Sequence, residues 1–505
     1  MKGVIAAGDP RTAEAGAVIL RGGGTAFDAA LAAMLAAPMS EPILTSMGGG
    51  GFMLAKSAGR KPVVYDFFVD VPPNRMDDPE FYPIDVDFGT TVQQFHIGSG
   101  AVAVPGMVAG IDRIYRELGT MPMEQIVAPA ADYARRGVVL SAPQSDLVQL
   151  VAPIMESTEE VRAMYAPGGA LINDRTPWSN PDYADFLDAL AREGAALFYR
   201  GEIARMLDAH MRTHGGLLRR EDLEHYTVHR RDPIMIDYRG RQVATNPPPS
   251  AGGILIAFAL QALAEHDDGA FETQEHIGRL IETMAVTAAF RRHEIDPHLH
   301  RPDLSSILQD GPRLARYLLA HQTRLNRWGN TTHISVIDAR GNAASVTTTN
   351  GEGSGRILPG TGIHLNNMLG EEDLNPHGFF RWPAGVRLPS MMAPTLVLRG
   401  DDPLLVLGSA GSNRIRSAIT EVIERFVAFH TPVQSAIDAP RIHYEQGEVF
   451  AEPGFDPAIL EAIRHRYPLN LFAEMNLFFG GVNAVTGTAD GGADHRRGGA
   501  VVRTV

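Results

Sequence analysis

The spacing of apolar positions changes about two-thirds of the way along the chain. Upstream, "TAFDAALAAMLAAP" opens with Thr25 as a helix N-cap and Asp28 three residues on, a capping-box pattern, and its Ala-rich run predicts a buried helix. "ADFLDALAREGAALFYRGEIARMLDAHMRTHGG" and "TQEHIGRLIETMAVTAAFRRHE" repeat apolar residues at helical spacing. From residue 331 the runs shorten. "HISVID", "AASVTTT", "PTLVLRG" and "LLVLG" are β-branched or apolar and bounded by Gly, Asn, Asp and Pro, as strands are. A helical period returns in "NRIRSAITEVIERFVAFH". This partial segregation predicts an α+β fold, or a sheet sandwich covered by helices. "NPPPSAGG" reads as a loop, and no repeat or low-complexity linker divides the chain.

Within the strand-rich part, "HISVIDARGNAASVTTT" predicts a hairpin. A three-residue loop, Ala339-Arg340-Gly341, with Gly341 left-handed would set Asp338 against Asn342 and Thr331 against Thr349. A register off by one would bring Asn350 there instead. Either neighbour supplies a hydrogen-bonding group beside Thr331. The plain alternative is that these threonines only express β-propensity.

Composition narrows the chemistry. An apolar fraction of 44% with 21% charged residues suits a globular protein, and no window carries the apolar run of a membrane helix. The start, "MKGVIAAGDPRTAEAG", lacks an apolar run of signal-peptide length, so the expected location is the cytoplasm. A net charge of −14 argues against nucleic acid and anionic membranes as partners. With no Cys, thiolate nucleophiles and Cys-ligated metals are excluded. Lys2, Lys56 and Lys61 are the only lysines, and none sits in a phosphate-binding glycine loop. "HEIDPHLH" lacks metal-site spacing and reads as a polar loop, and "RREDLEHY" as a charged helix start.

Thr331 becomes a competent nucleophile only if a base stands beside it. Its own α-amine is that base once the Asn330-Thr331 bond is cut by attack of the Thr331 hydroxyl on the preceding carbonyl. Two glycine clusters could hold an oxyanion. "GSAGSN" stands between a strand and a helix, so the Gly411 and Ser412 amides would point out of a helix N-terminus. "MGGGGFML" permits close backbone approach. Each is also an ordinary tight turn.

Taken along its whole length, the sequence resembles the γ-glutamyltransferase family of N-terminal-nucleophile hydrolases, which mature by self-cleavage. The matching stretches include "AGAVILRGGGTAFDAALAA", "VAVPGMVAGIDRIYRELG", "NPPPSAGGILI", "TTHISVIDARGNAASVTTT", "PGTGIHLNNML", "GSAGSNRI" and "GGADHRRGGAVV". The resemblance implies a four-layer αββα sandwich. It implies a proenzyme cut into segments 1–330 and 331–505 that remain one intertwined domain, a heterodimer that could itself pair. Thr331 would be the nucleophile, Thr349 its hydroxyl partner, and Gly411 and Ser412 the oxyanion amides, Ser412 standing where a second glycine is usual. Ser390 would contact the substrate carboxylate, although Pro389 replaces a second serine. Glu371, or its neighbours Glu372 and Asp373, would hold the substrate amino group. No metal or organic cofactor is required.

One departure is large. Where glutathione-binding members carry DFRE, this chain has Asp66-Phe67-Phe68-Val69, so the carboxylate-clamping Arg has become Phe68. Arg356 is a candidate for supplying charge from another direction. The expected reaction is attack on a γ-glutamyl or related small acyl amide, with the acyl group passed to water in preference to an amine acceptor. Two alternatives stand beside it: an acylase for glutaryl- or oxamate-type amides, and a non-catalytic homologue that binds without turnover.

Overall fold

The computed structural model describes residues 2–87, 92–265, 269–310 and 330–504. Residues 327–329, part of the loop expected ahead of Thr331, lie outside these. Two antiparallel sheets form the centre. The first contains β1 (Gly3–Ala7), β2 (Gly50–Lys56), β3 (Val63–Phe67), β4 (His229–Arg231), β7 (Thr332–Asp338), β8 (Ala343–Thr349) and β13 (Ala500–Thr504). Their order is β13-β1-β7-β8-β2-β3-β4. The second contains β5 (Ile234–Tyr238), β6 (Arg241–Thr245), β9 (Thr395–Arg399), β10 (Asp402–Ala410), β11 (Gly481–Thr486) and β12 (Gly491–Gly492), in the order β12-β11-β10-β9-β6-β5. Each sheet mixes strands from before and after residue 331.

Helices α1 (Pro10–Arg21) and α2 (Ala26–Ser40) cover the outer face of the first sheet. Helices α3 (Ala251–Ala264) and α4 (Ile415–Val427) cover that of the second. The result is the αββα sandwich. Strand alternation divides the core in two. Ile5, Met53, Ile334 and Val336 face α1 and α2, whereas Val4, Phe52, Leu54 and Ile337 face the second sheet. Because β1, β2, β7 and β8 are buried on both faces, they carry no polar alternation.

That burial accounts for strands the helical reading of the first half passes over. "GVIAA" has two Ala and a Gly, weak β-formers, yet it sits inside the first sheet between β13 and β7. The long helical stretch after residue 180 is also broken. It forms Pro181–Glu193, Ala196–Tyr199 and Glu202–Thr213, with Gly194 at φ +67° ending the first helix. The capping box of Thr25 and Asp28 is present, and the Asp28 carboxylate also accepts from Thr120.

The hairpin has the expected register. Ile337 pairs with Ala343 and Thr332 with Thr348, Asp338 N–H donates to Asn342 O at 3.0 Å, and Gly341 has φ +83°. Extending this ladder by one pair sets Thr331 against Thr349.

Candidate active site

Thr331 immediately precedes β7 and is 6% exposed. Thr349 ends β8, and its Oγ1 donates a hydrogen bond to the carbonyl oxygen of Asn330. That hydroxyl also accepts from the Gly351 N–H at 3.0 Å, which fixes its direction. The carbonyl oxygen of the Asn330-Thr331 peptide group therefore already carries a hydrogen-bond donor. Gly49 lets β2 close in behind, since a Cβ there would lie 2.2 Å from the Thr349 carbonyl oxygen.

Beyond β8 the chain turns through Asn350, Gly351 and Glu352 into a buried acidic cluster. Gly351, at φ +64°, passes so near that a Cβ would stand 2.1 Å from Asn367 Oδ1 and 2.3 Å from Glu371 Oε1. Asn367 Oδ1 accepts from the Glu352 N–H at 3.0 Å, and Asn366 ties the same loop to Gly48 and Ala103. Burial raises the Glu352 carboxyl, offset in part by Asn367 and by the Asn330 N–H. Burial, with Glu352 and Asp373 nearby, pushes Glu371 well above the carboxylate range. Asn350 Oδ1, Glu352 Oε2 and Glu371 Oε1 are buried without a hydrogen-bond partner among the described residues. A cluster of that kind favours a hydrogen-bond donor or a cation.

The glycine turn follows β10. Gly411 takes φ +116°, which an L side chain rarely adopts, and Ser412 takes φ +49°. The 3-10 turn Ser412–Arg414 then leads into α4. Among the described residues neither the Gly411 nor the Ser412 N–H meets a protein acceptor. The Ser412 hydroxyl is held by Asp373. A small cavity is lined by Thr331, Ala410, Asn483 and Arg497, so the turn lies one residue past its wall. Glu41 lines it too, bonded to the Thr332 hydroxyl, and burial first, then Asp9, raises its carboxyl to about 7.

A second cavity, of about 480 Å³, lies beside Ser412 and is lined by Arg291, Asp373, Asn413 and Arg416 among others. Arg291 is spent on Asp296 and on Asn413 Oδ1 at 2.7 Å. Arg416 is 5% exposed and has no acceptor among the described residues, and burial pulls it down to about 10.

Thr349 thus contacts the Asn330 carbonyl ahead of Thr331, Asn350 follows it in the chain, Glu371 lies beside Gly351, and Ser412 reaches that acidic cluster through Asp373. The contacts of Phe68 and Ser390 run elsewhere. Phe68 is fully buried and stacks on Phe52 at 5.5 Å. Ser390 Oγ accepts from Met392 N–H, and its carbonyl accepts from the Ser250 hydroxyl. Arg356 forks onto Glu80 and approaches Glu160 at 3.5 Å, so its charge is committed to an ion-pair group. "HEIDPHLH" is a polar connection, with His300 bonded to the Arg387 carbonyl. Sequence reasoning passes over Glu41, Glu352 and Arg416. The signal for Arg416 was a cation in the first turn of a helix, where the dipole favours an anion.

The family model of Gamma-glutamyltranspeptidase matches residues 12–504. Acylase ACY 1 proenzyme of Pseudomonas sp. (strain SE83) is 29% identical over 508 residues, covering 97% of this chain and 90% of that protein. Glutathione hydrolase proenzyme of Bacillus subtilis (strain 168) is 27% identical, covering 99% and 91%. The crystal structure of cephalosporin acylase from Bacillus halodurans superposes with a TM-score of 0.86 at 24% identity, covering 99% of this chain and 95% of that one, and so shares the fold. No helix among the described residues is long and apolar enough to cross a membrane. The chain belongs to the gamma-glutamyltranspeptidase family.

Proposed function

We propose that this protein is a self-processing amidohydrolase whose nucleophile is Thr331 after the chain is cut ahead of it. The observation that carries this reading is the Thr349 hydroxyl on the Asn330 carbonyl oxygen. The Thr331 hydroxyl attacks the Asn330 carbonyl carbon while Thr349 stabilises the developing charge on its oxygen. The C–N bond breaks, the Thr331 nitrogen takes the proton, and an ester forms. Water hydrolyses that ester, leaving a carboxylate on Asn330 and a free hydroxyl and amine on Thr331. Segments 1–330 and 331–505 then stay together, because both sheets interleave strands from the two.

In turnover the Thr331 amine accepts the hydroxyl proton as the oxygen attacks the substrate amide, then delivers it to the leaving amine. The Gly411 and Ser412 amides hold the oxyanion. Water releases the acyl group. The substrate is a γ-glutamyl or related small acyl amide. Glu371 with Glu352 and Asp373 suits an ammonium, and Arg416 suits a carboxylate. A glutaryl-type acyl group, lacking the ammonium, is the second reading. The core position of Phe68 and the acylase among the relatives favour it. Turnover of γ-glutamyl and glutaryl anilides by wild type and Thr331→Ala tests both. Activity on either that vanishes in the variant supports the nucleophile, and undiminished activity in Thr331→Ala overturns it.

A further inference from the structure

Away from Thr331, two helices and the strand segment at Ile357 bring three metal-ligating groups together. His210 is in the last turn of the helix Glu202–Thr213, and His214 directly follows that helix. The i, i+4 spacing puts both rings on one side, with centroids 4.3 Å apart. Glu160, in the first turn of the helix Glu159–Tyr165, faces both. Its Oε2 lies 3.8 Å from His210 Nε2, and its Oε1 lies 3.9 Å from His214 Nε2. One ligand atom from each of the three falls within 4.8 Å of the others.

These separations are too long for hydrogen bonds. They suit two atoms that each stand about 2.0–2.2 Å from a common ion, with sub-ångström adjustment. The His214 Nδ1–H donates to the His210 carbonyl at 2.9 Å, which leaves its Nε2 lone pair facing Glu160. His210 Nε2 is buried with no hydrogen-bond partner among the described residues, on a side chain only 5% exposed. An imidazole nitrogen left so is a cost unless something fills the space before it.

We propose that Glu160, His210 and His214 form a site for a divalent cation of the Zn2+ type, with one position left to water. Two imidazoles and a carboxylate are a borderline-soft donor set, which suits Zn2+ over Ca2+ or Mg2+. The Arg356 guanidinium, 3.5 Å from Glu160 Oε1, opposes a cation, but Glu80 already binds it by a two-point contact. Glu160 Oε2 also accepts from the Ile357 N–H at 3.3 Å. A bound ion therefore clamps both helices to the chain that continues from Thr349 through Arg356. Its role is structural, since no nucleophile of the proposed reaction touches it.

The test uses untagged full-length protein stripped with chelator, then titrated with Co2+ and Zn2+. Wild type is expected to bind one Co2+ with visible d–d absorption, to release it to Zn2+, and to melt at a higher temperature with Zn2+. His210→Ala, His214→Ala and Glu160→Gln should each lose the absorption and the melting shift. Glu160→Gln keeps the carboxamide in place of the carboxylate, so it serves if a histidine variant does not fold. Wild type without d–d absorption, or variants that bind as wild type does, would overturn the site.

Discussion

The Thr349 hydroxyl donates to the carbonyl oxygen of Asn330, across a hairpin whose ladder sets residue 349 against residue 331. The two ends of adjacent strands thereby set a hydrogen-bond donor on the carbonyl of the peptide group that precedes Thr331. Thr349→Ala removes the donor and leaves the ladder. Processing is expected to slow by about 10²–10³-fold, with Thr349→Ser close to wild type. A time course on denaturing gels reads both rates, and unslowed cleavage in Thr349→Ala would remove the role assigned to the hydroxyl.

Arg416 offers a buried guanidinium, without a hydrogen-bond acceptor among the described residues, to the cavity beside Ser412. If it anchors a substrate carboxylate, Arg416→Ala should raise KM for γ-glutamyl and glutaryl amides by roughly 10–100-fold, the worth of a charged hydrogen bond. Neutral acyl amides should be unaffected. Equal losses for charged and neutral substrates in steady-state kinetics would mean that the residue serves the fold.

Phe68, which the resemblance sets against an arginine of glutathione-binding members, points into the core against Phe52. Restoring the arginine with Phe68→Arg should therefore not restore glutathione-type recognition. It should cost more than about 3 kcal/mol by burying an unpaired charge, measured by urea unfolding. A stable variant with faster γ-glutamyl turnover would show that the position opens toward substrate.

Glu41 has its carboxyl raised to about 7, chiefly by burial, next to Thr332 in the cavity that holds Thr331. A carboxyl raised on folding contributes stability below its unfolded value, near 4.5, and loses it as pH climbs through about 7. Glu41→Gln cannot ionise. Its melting temperature relative to wild type should therefore rise between pH 4.5 and pH 8. A difference that stays flat with pH would place the ionisation of Glu41 outside that window.

What the sequence reveals, and what it hides, follows from the range of the interactions. The Thr25 capping box and the hairpin register are local, set by residues a few positions apart, and both are legible. The change of apolar spacing points to an α+β fold or a helix-covered sheet sandwich, whereas the family comes only from the resemblance over the whole length. Strand β1 is hidden because both its faces are buried, which erases alternation, and its alanines favour helix. The break at Gly194 is hidden because the apolar spacing continues across it. Glu41 and Arg416 acquire their character from burial that only the assembled layers create. The packing of Phe68 on Phe52 joins β2 to the residue just past β3, a contact that no local pattern encodes.

Intact-mass spectrometry of the purified protein after prolonged incubation, beside Thr331→Ala, tests the central claim most directly. The account predicts two polypeptides for the wild type, corresponding to 1–330 and 331–505 with threonine at the new N-terminus, and a single full-length chain for the variant. A wild-type chain that remains whole while it turns over amides at full rate would contradict it.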